Sequence, residues 1–160
     1  MSAKKKNKDE QERRTHLDAY RTIARYEQDK RRYAELQEDI MERYKGALAA
    51  QPGGHPEGGH VTGDPEKRLL ELEALARTAL YKRIEAVGLA FNDLRAYRLR
   101  WGDTDDEMDK LCKAIMASCD NRRLYGFYGL QRTFRLNYGE TTFTTSKRRV
   151  RDKVIELLDL

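Results

Sequence analysis

The feature that most constrains the fold is a long apolar stripe in the middle of the chain. From Leu69 to Leu94, leucine, alanine, isoleucine, valine and phenylalanine recur every three or four residues, the period of one helical face. Asp64 and Pro65 precede the stripe and suit the N-cap and the first helical position. The pattern predicts a central helix over residues 64–101. Its apolar face must pack on the first helix of the chain, on a copy of itself in a dimer, or on both.

Composition favours long amphipathic helices over a large compact core. Hydrophobic residues make up 39% of the chain and charged residues 37%, so there is little apolar material for a thick interior. The spacing of Ile23, Tyr26, Tyr33 and Ile40 predicts an N-terminal helix over residues 15–45. We therefore expect an all-α protein of long antiparallel or coiled-coil-like helices, followed by a C-terminal helix-turn-helix-type module over residues 102–160.

Two segments lack a helical pattern. Residues 1–14 are lysine-rich with no apolar period, which predicts a disordered basic tail. Residues 46–63 hold six glycines and two prolines, which predicts a flexible loop. His55 and His60 lie in that loop without further ligands or a rigid frame, so we expect no metal site.

The C-terminal module begins with a recognisable helix start. Thr104 followed by Glu107 has the spacing of a capping box. Trp101, just before it, is expected to seal the core where helices meet. Cys112 and Cys119 lie among apolar residues seven positions apart, so we predict reduced, buried thiols and no disulfide between them.

The last eighteen residues, Phe143 to Leu160, predict a basic amphipathic helix. Its apolar stripe is Val150, Val154, Leu157 and Leu158. Three hydroxyl residues in a row offer N-caps for a helix that starts near Ser146, namely Thr144, Thr145 and Ser146. Arg148 and Asp152 should point away from the stripe, with Arg149 and Arg151 on its flanks.

Positive charge is concentrated near this helix. From Arg122 to Lys153 there are nine basic residues against two acidic ones, within a chain whose net charge is +5. A capped helix with arginines near its N-terminus is what a major-groove reader requires, so we predict binding to double-stranded DNA. The residues predicted to face base edges are Ser146, Arg148, Arg149 and Asp152. Those predicted to hold phosphates are Thr145, Lys147, Arg151 and Lys153. Further attraction is expected from Arg122, Arg123, Arg132 and Arg135.

Four stretches resemble the bacteriophage transcriptional regulators of the RinA/ArpU type. They read YRTIARYEQDKRRYAELQEDIM, LYKRIEAVGLAFNDL, DNRRLYGFYGL and TTSKRRVRDKVIELL, and together they span most of residues 20–158. The resemblance implies a phage or prophage activator of late genes. It also implies a terminal helix that docks on DNA like the second helix of a sigma-factor region-4 module. Host RNA polymerase is a further expected partner.

Two other classes stay open. A phage small terminase subunit is also helical and DNA-binding but assembles into a ring, so its mass separates it from a regulator that dimerises through its long helices. A helical adaptor that never touches nucleic acid predicts no salt-sensitive DNA binding. An enzyme is not expected, because the sequence has no catalytic constellation, no phosphate-binding glycine loop and no metal spacing. No cofactor is expected. We see no signal peptide and no membrane-length apolar run, so we expect a protein of the bacterial host cytoplasm.

Overall fold

A computed structural model describes residues 3–49, 63–120 and 126–160, and within these ranges the chain forms seven α-helices. They are α1 (Ala3–Ala24), α2 (Tyr26–Ala49), α3 (Gly63–Leu75), α4 (Ala79–Leu99), α5 (Asp105–Cys119), α6 (Phe127–Phe134) and α7 (Glu140–Leu158). The prediction of an all-α fold is confirmed. None of the helices in the described ranges combines the length and the apolar character needed to cross a bilayer.

The chain divides into two compact units. The first comprises Met1–Glu27 and Arg83–Leu160, and the second comprises Gln28–Lys82. The first unit therefore contains α1, most of α4, and α5 to α7, whereas the second contains most of α2 together with α3.

Five helices supply the core of the first unit. α5 packs on α1, α6 and α7, and α7 also packs on α1. The largest fully buried side chains are Ile23, Val87, Leu94, Met108, Leu111, Ile115, Leu130, Val150 and Val154. Each such side chain contributes about 1.5–3 kcal/mol through burial. The core thus fixes α7 on one face, and that fixes which of its side chains reach solvent.

The second unit is held by fewer apolar contacts. Tyr33 of α2 and Tyr81 of α4 lie with ring centroids 5.3 Å apart, and Arg43 forms an ion pair of 3.3 Å with Glu71 of α3. Leu69, the first residue of the predicted apolar stripe, is exposed, as is Leu70. Of that stripe, the part that is fully covered lies in the first unit.

The predicted single helix over residues 64–101 is wrong, because it is interrupted between Leu75 and Ala79. The Thr78 hydroxyl donates to the Leu75 carbonyl at 2.7 Å and accepts from the Tyr81 amide at 3.4 Å. A threonine that bonds locally in this way competes with helix propagation and caps the next helix instead.

The predicted helix over residues 15–45 is likewise divided, with α1 ending at Ala24 and α2 beginning at Tyr26. The Thr22 hydroxyl donates to the Asp18 carbonyl at 2.8 Å, four residues back, a bond that bends helices. The break follows within one turn.

The expectation of a disordered tail is wrong for residues 3–14, which belong to α1. Lysine, glutamate and glutamine are good helix formers, and Arg14 pairs with Glu10 one turn earlier at 2.7 Å. The predicted loop over residues 46–63 overlaps α2, which reaches Ala49, and α3, which begins at Gly63. Residues 50–62, with both loop histidines, lie outside the described residues.

The start of α5 confirms the capping box. The Glu107 amide donates to the Thr104 hydroxyl at 3.2 Å, and the Thr104 amide donates to the Glu107 carboxylate at 2.9 Å. Cys112 and Cys119 are free and buried as predicted, and burial raises the pKa of each thiol to about 11. The expectation for Trp101 is wrong. Trp101 follows the end of α4, and its side chain is 69% exposed. Its ring lies edge-on to that of Tyr97, with the ring centroids 6.4 Å apart.

Candidate nucleic-acid interface

Helix α7 begins six residues earlier than predicted, at Glu140 with Gly139 as its N-cap. No side chain caps this end of the helix. Because the helix starts at Glu140, the three hydroxyl residues after Phe143 are interior positions. Phe143 is buried and extends the apolar stripe backwards through Ser146 to Val150 at helical spacing. Ser146 is consequently only 4% exposed. Its predicted role at a base edge is wrong.

The outward face of α7 is as the helical spacing predicts. Thr145, Arg148 and Asp152 are exposed. Arg148 has no hydrogen-bond or ion-pair partner within the part of the chain that the structure describes. A groove beside this face is lined by Asp93, Thr145, Arg148, Arg149, Asp152, Lys153 and Glu156. Its three basic and three acidic side chains balance, so the groove as a whole is not a strongly positive surface.

Arg149 is engaged inside the first unit. Its Nε donates to Asp93 Oδ2 at 2.9 Å and its Nη2 to Asp93 Oδ1 at 3.4 Å. Its guanidinium also lies over the Tyr97 ring, 4.1 Å from the centroid. Asp93 and Tyr97 are four residues apart on α4, so both face α7 from the same side of that helix. In this structure Arg149 thus holds Asp93 and Tyr97 of α4, and its contact with base edges stays a prediction.

Two further predicted phosphate contacts, Arg151 and Lys147, reach across to α1. Arg151 donates to the Tyr20 hydroxyl at 3.2 Å and to Asp152 at 2.8 Å, and its side chain is 15% exposed. Burial opposes the charge, but these bonds raise its pKa. Lys147 lies 4.8 Å from the Tyr20 ring centroid and 3.5 Å from the Ser118 carbonyl oxygen. Both residues are half-buried, so in this structure they tie α7 to α1 and α5, in place of the predicted contact with phosphate.

The remaining predicted residues divide into three groups. Lys153 pairs with Glu156 one turn later at 3.4 Å. Arg132 and Arg135 are exposed, and neither has an ion-pair partner among the described residues. Arg122 and Arg123 lie outside the described residues.

Arg135 has an unusual backbone. It ends α6 with φ 54° and ψ 51°, the left-handed conformation in which glycine is the usual residue. The Leu136 amide donates to the Gln131 carbonyl at 3.0 Å, which closes the end of the helix. A non-glycine residue in the left-handed conformation costs about 1 kcal/mol relative to glycine. The arginine at position 135 therefore lowers the stability of the fold by about this amount.

A pocket of about 530 Å³, including its mouth, lies between α4 and the first turns of α7. Its lining is Leu94, Tyr97, Arg98, Thr141, Thr142, Thr145, Ser146 and Arg149. Arg98 is held by Asp103, with Nε 2.5 Å from Oδ2 and Nη2 3.3 Å from Oδ1. Tyr138 donates to the same carboxylate at 3.1 Å, and burial together with the negative charge of Asp103 raises its pKa. This network fixes the connection between α6 and α7 to the end of α4.

Sequence reasoning found the cations of α7 but not their partners. Asp93, Tyr97 and Tyr20 lie 50 or more positions away from the residues they contact on α7. The spacing of Asp93 and Tyr97 on one helical face was a local signal, but nothing local pairs that face with Arg149.

Comparison with protein-family models, with curated proteins and with solved structures gives no match for this chain. Over the described residues, no three or more histidine, cysteine, aspartate or glutamate side chains come together where they could hold a metal ion.

Proposed function

We propose that this chain binds double-stranded DNA through α6, the turn that follows it and the outward face of α7. The contacting cations are Arg132, Arg135 and Arg148. The observation that carries the proposal is that these three arginines are exposed and lack ion-pair partners among the described residues, while the other described cations predicted to contact DNA are engaged with the protein. A guanidinium group without a protein partner can donate its hydrogen bonds to phosphate oxygens or to the edge of a guanine base.

Two structural details support the assignment of Arg135 and Arg148 as DNA contacts. Arg135 is five residues before the start of α7 and occupies a left-handed position that glycine would fill at lower free energy. Strained residues of this kind are concentrated at functional sites. Arg148 lies about two turns into α7 and on its solvent face. Helix, five-residue turn and helix follow one another here, the order of a helix-turn-helix.

More specifically, we propose that the protein regulates transcription in a bacteriophage or prophage, and that it activates late genes. Its support is the resemblance of four stretches to RinA/ArpU-type regulators. Host RNA polymerase is then a second partner, and a homodimer through the long helices is the proposed assembly. Mass measurement in solution separates this from the small terminase alternative, since a ring of eight or more subunits would favour the packaging protein.

The test measures DNA affinity by fluorescence anisotropy on a labelled duplex of random sequence, at two salt concentrations. Three phosphate contacts release enough counterions to weaken binding roughly 40-fold between 50 and 200 mM salt. The triple variant Arg132→Ala, Arg135→Ala, Arg148→Ala should lose most of the affinity and most of this salt dependence.

The matched control removes the same charge from the second unit. Lys67, Arg77 and Lys82 are exposed, and no partner contacts them within the described ranges. Replacing all three by alanine should leave DNA affinity within about twofold of wild type if local contacts rather than net charge carry the binding. Equal losses in both triple variants would refute the assignment of residues, and no binding by wild type at 50 mM salt would refute DNA binding itself.

Sequence preference needs a separate experiment. Selection from a randomised duplex pool should enrich one motif for wild type, and Arg148→Ala should relax that motif at a single position. Unchanged enrichment with Arg148→Ala would remove this residue from base recognition while leaving the phosphate contacts in place.

A helical interaction protein is the second candidate, and exposed aromatic side chains favour it. Trp101 and Tyr128 retain 69% and 74% of their surface, which is high for such large apolar side chains. Aromatic residues of this kind anchor protein interfaces. A chain that binds no duplex, but whose binding to polymerase or another host protein depends on Trp101, would support this alternative.

A further inference from the structure

The pocket between α4 and α7 has a lining suited to an oxyanion. Arg98 and Arg149 supply two guanidinium groups, four hydroxyl residues lie on the α7 side, and no carboxylate is among the lining residues. Asp93 and Asp103 hold the arginines through Nε and Nη2 only. The Nη1 groups keep their donors without a hydrogen-bond partner in the described part of the chain. Donors outnumber acceptors at this site, which is the arrangement that phosphate groups require.

Ser146 gives an independent indication that the pocket takes a ligand. It lines the pocket, it is only 4% exposed, and among the described residues nothing hydrogen-bonds its hydroxyl. The hydroxyl oxygen is not among the fully buried atoms that lack a partner, so part of the small exposed area of this residue belongs to that oxygen and opens into the pocket. A group that enters the pocket can therefore hydrogen-bond to a hydroxyl that no described residue occupies.

We propose that this pocket binds a phosphate group, with the hydroxyls of Thr142, Thr145 and Ser146 and the Nη1 sides of Arg98 and Arg149 as its donors. The phosphate belongs either to the backbone of the duplex, in which case the site extends the proposed DNA interface, or to a free phosphate ester.

The first arm of the test titrates the full-length protein with inorganic phosphate at constant ionic strength, followed by amide resonances in nuclear magnetic resonance spectra. Saturable shifts are expected in residues 94–98 and 141–149. Ser146→Ala should weaken phosphate binding about tenfold, since a hydrogen bond to a charged group is lost. The same variant should unfold at the same or higher denaturant concentration than wild type, because its hydroxyl has no protein partner to lose.

Thr22→Val is the matched control for a buried hydroxyl in the same unit. Thr22 lies on α1 outside the pocket, and its hydroxyl is already satisfied by Asp18. The Thr22→Val variant should bind phosphate with the same affinity as wild type. Shifts that do not saturate, or a Ser146→Ala variant that binds phosphate as well as wild type does, would overturn the proposal.

The second arm identifies the source of the phosphate. DNA affinity is measured with the pocket saturated by inorganic phosphate and again in chloride of the same ionic strength. A loss of affinity specific to phosphate, absent from Ser146→Ala, assigns the pocket to a backbone phosphate of the duplex. Unchanged DNA affinity assigns it to a free phosphate ester. If wild type binds phosphate in the first arm but no duplex, the DNA-binding proposal fails and the pocket proposal stands.

Discussion

Arg148 and Arg149 are neighbours in sequence, yet the structure predicts opposite consequences for their removal. Arg149→Ala should destabilise the first unit, because this guanidinium holds Asp93 through two hydrogen bonds and covers the Tyr97 ring. Arg148→Ala should leave stability unchanged, because Arg148 is exposed and contacts no partner among the described residues.

The magnitude follows from the two contacts of Arg149. A cation over an aromatic ring at a partly exposed site contributes about 0.5–1 kcal/mol. The ion pair retains 40% and 33% side-chain exposure on its two partners, so solvent screening limits it to roughly 0.2–1 kcal/mol. Together they predict a loss of about 0.7–2 kcal/mol, against less than about 0.5 kcal/mol for Arg148→Ala. In a chain of this length the loss expected for Arg149→Ala lowers Tm by about 1–8 °C.

The assay is urea unfolding followed by far-ultraviolet circular dichroism, with DNA affinity measured on the same preparations. A double-mutant cycle with Asp93→Ala isolates the ion pair, and its coupling energy should decrease as salt is raised. A free energy of unfolding for Arg149→Ala within about 0.3 kcal/mol of the wild-type value would show that these contacts do not stabilise the first unit. The same conclusion would follow if Arg148→Ala were the less stable of the two variants.

Three further predictions concern other parts of the first unit. Tyr138→Phe removes the hydrogen bond to Asp103 and should cost about 1 kcal/mol in urea unfolding; an unchanged midpoint would mean that this bond does not hold the connection between α6 and α7. Arg135→Gly should gain about 0.5–1 kcal/mol in the same assay by relieving the left-handed backbone, while lowering DNA affinity; a loss of stability would contradict the strain argument. Burial raises the pKa of the Cys112 and Cys119 thiols to about 11, so the folded state retains protons that the unfolded state releases. The free energy of unfolding should therefore fall as pH rises from about 9 to about 11. Replacing both cysteines by alanine should make this fall less steep. If the fall is equally steep without the two cysteines, other groups cause it.

Local sequence signals predicted the elements whose causes are local. The capping box at Thr104 needs only residues three apart, and it forms as predicted. The burial of Cys112 and Cys119 followed from the apolar period around them. The breaks at Thr22 and Thr78 were missed, because a threonine inside a helical pattern can face solvent, bond to its own helix or cap the next one. Its neighbours in sequence do not decide among these states.

The sequence by itself determined that this is an all-α protein with a terminal helix whose Arg148 and Asp152 face outward. Those properties depend on residue type and on a period of three to four along one segment. Tertiary structure decided which of the cations on that helix remain free. Arg149 and Arg151, on the flanks of the stripe, are engaged because Asp93 and Tyr20, from distant parts of the chain, meet them, whereas Arg148 faces solvent. Ion pairs and ring contacts across 56 and 131 positions depend on how the apolar faces of α1, α4 and α7 pack, and the packing is a property of the whole first unit.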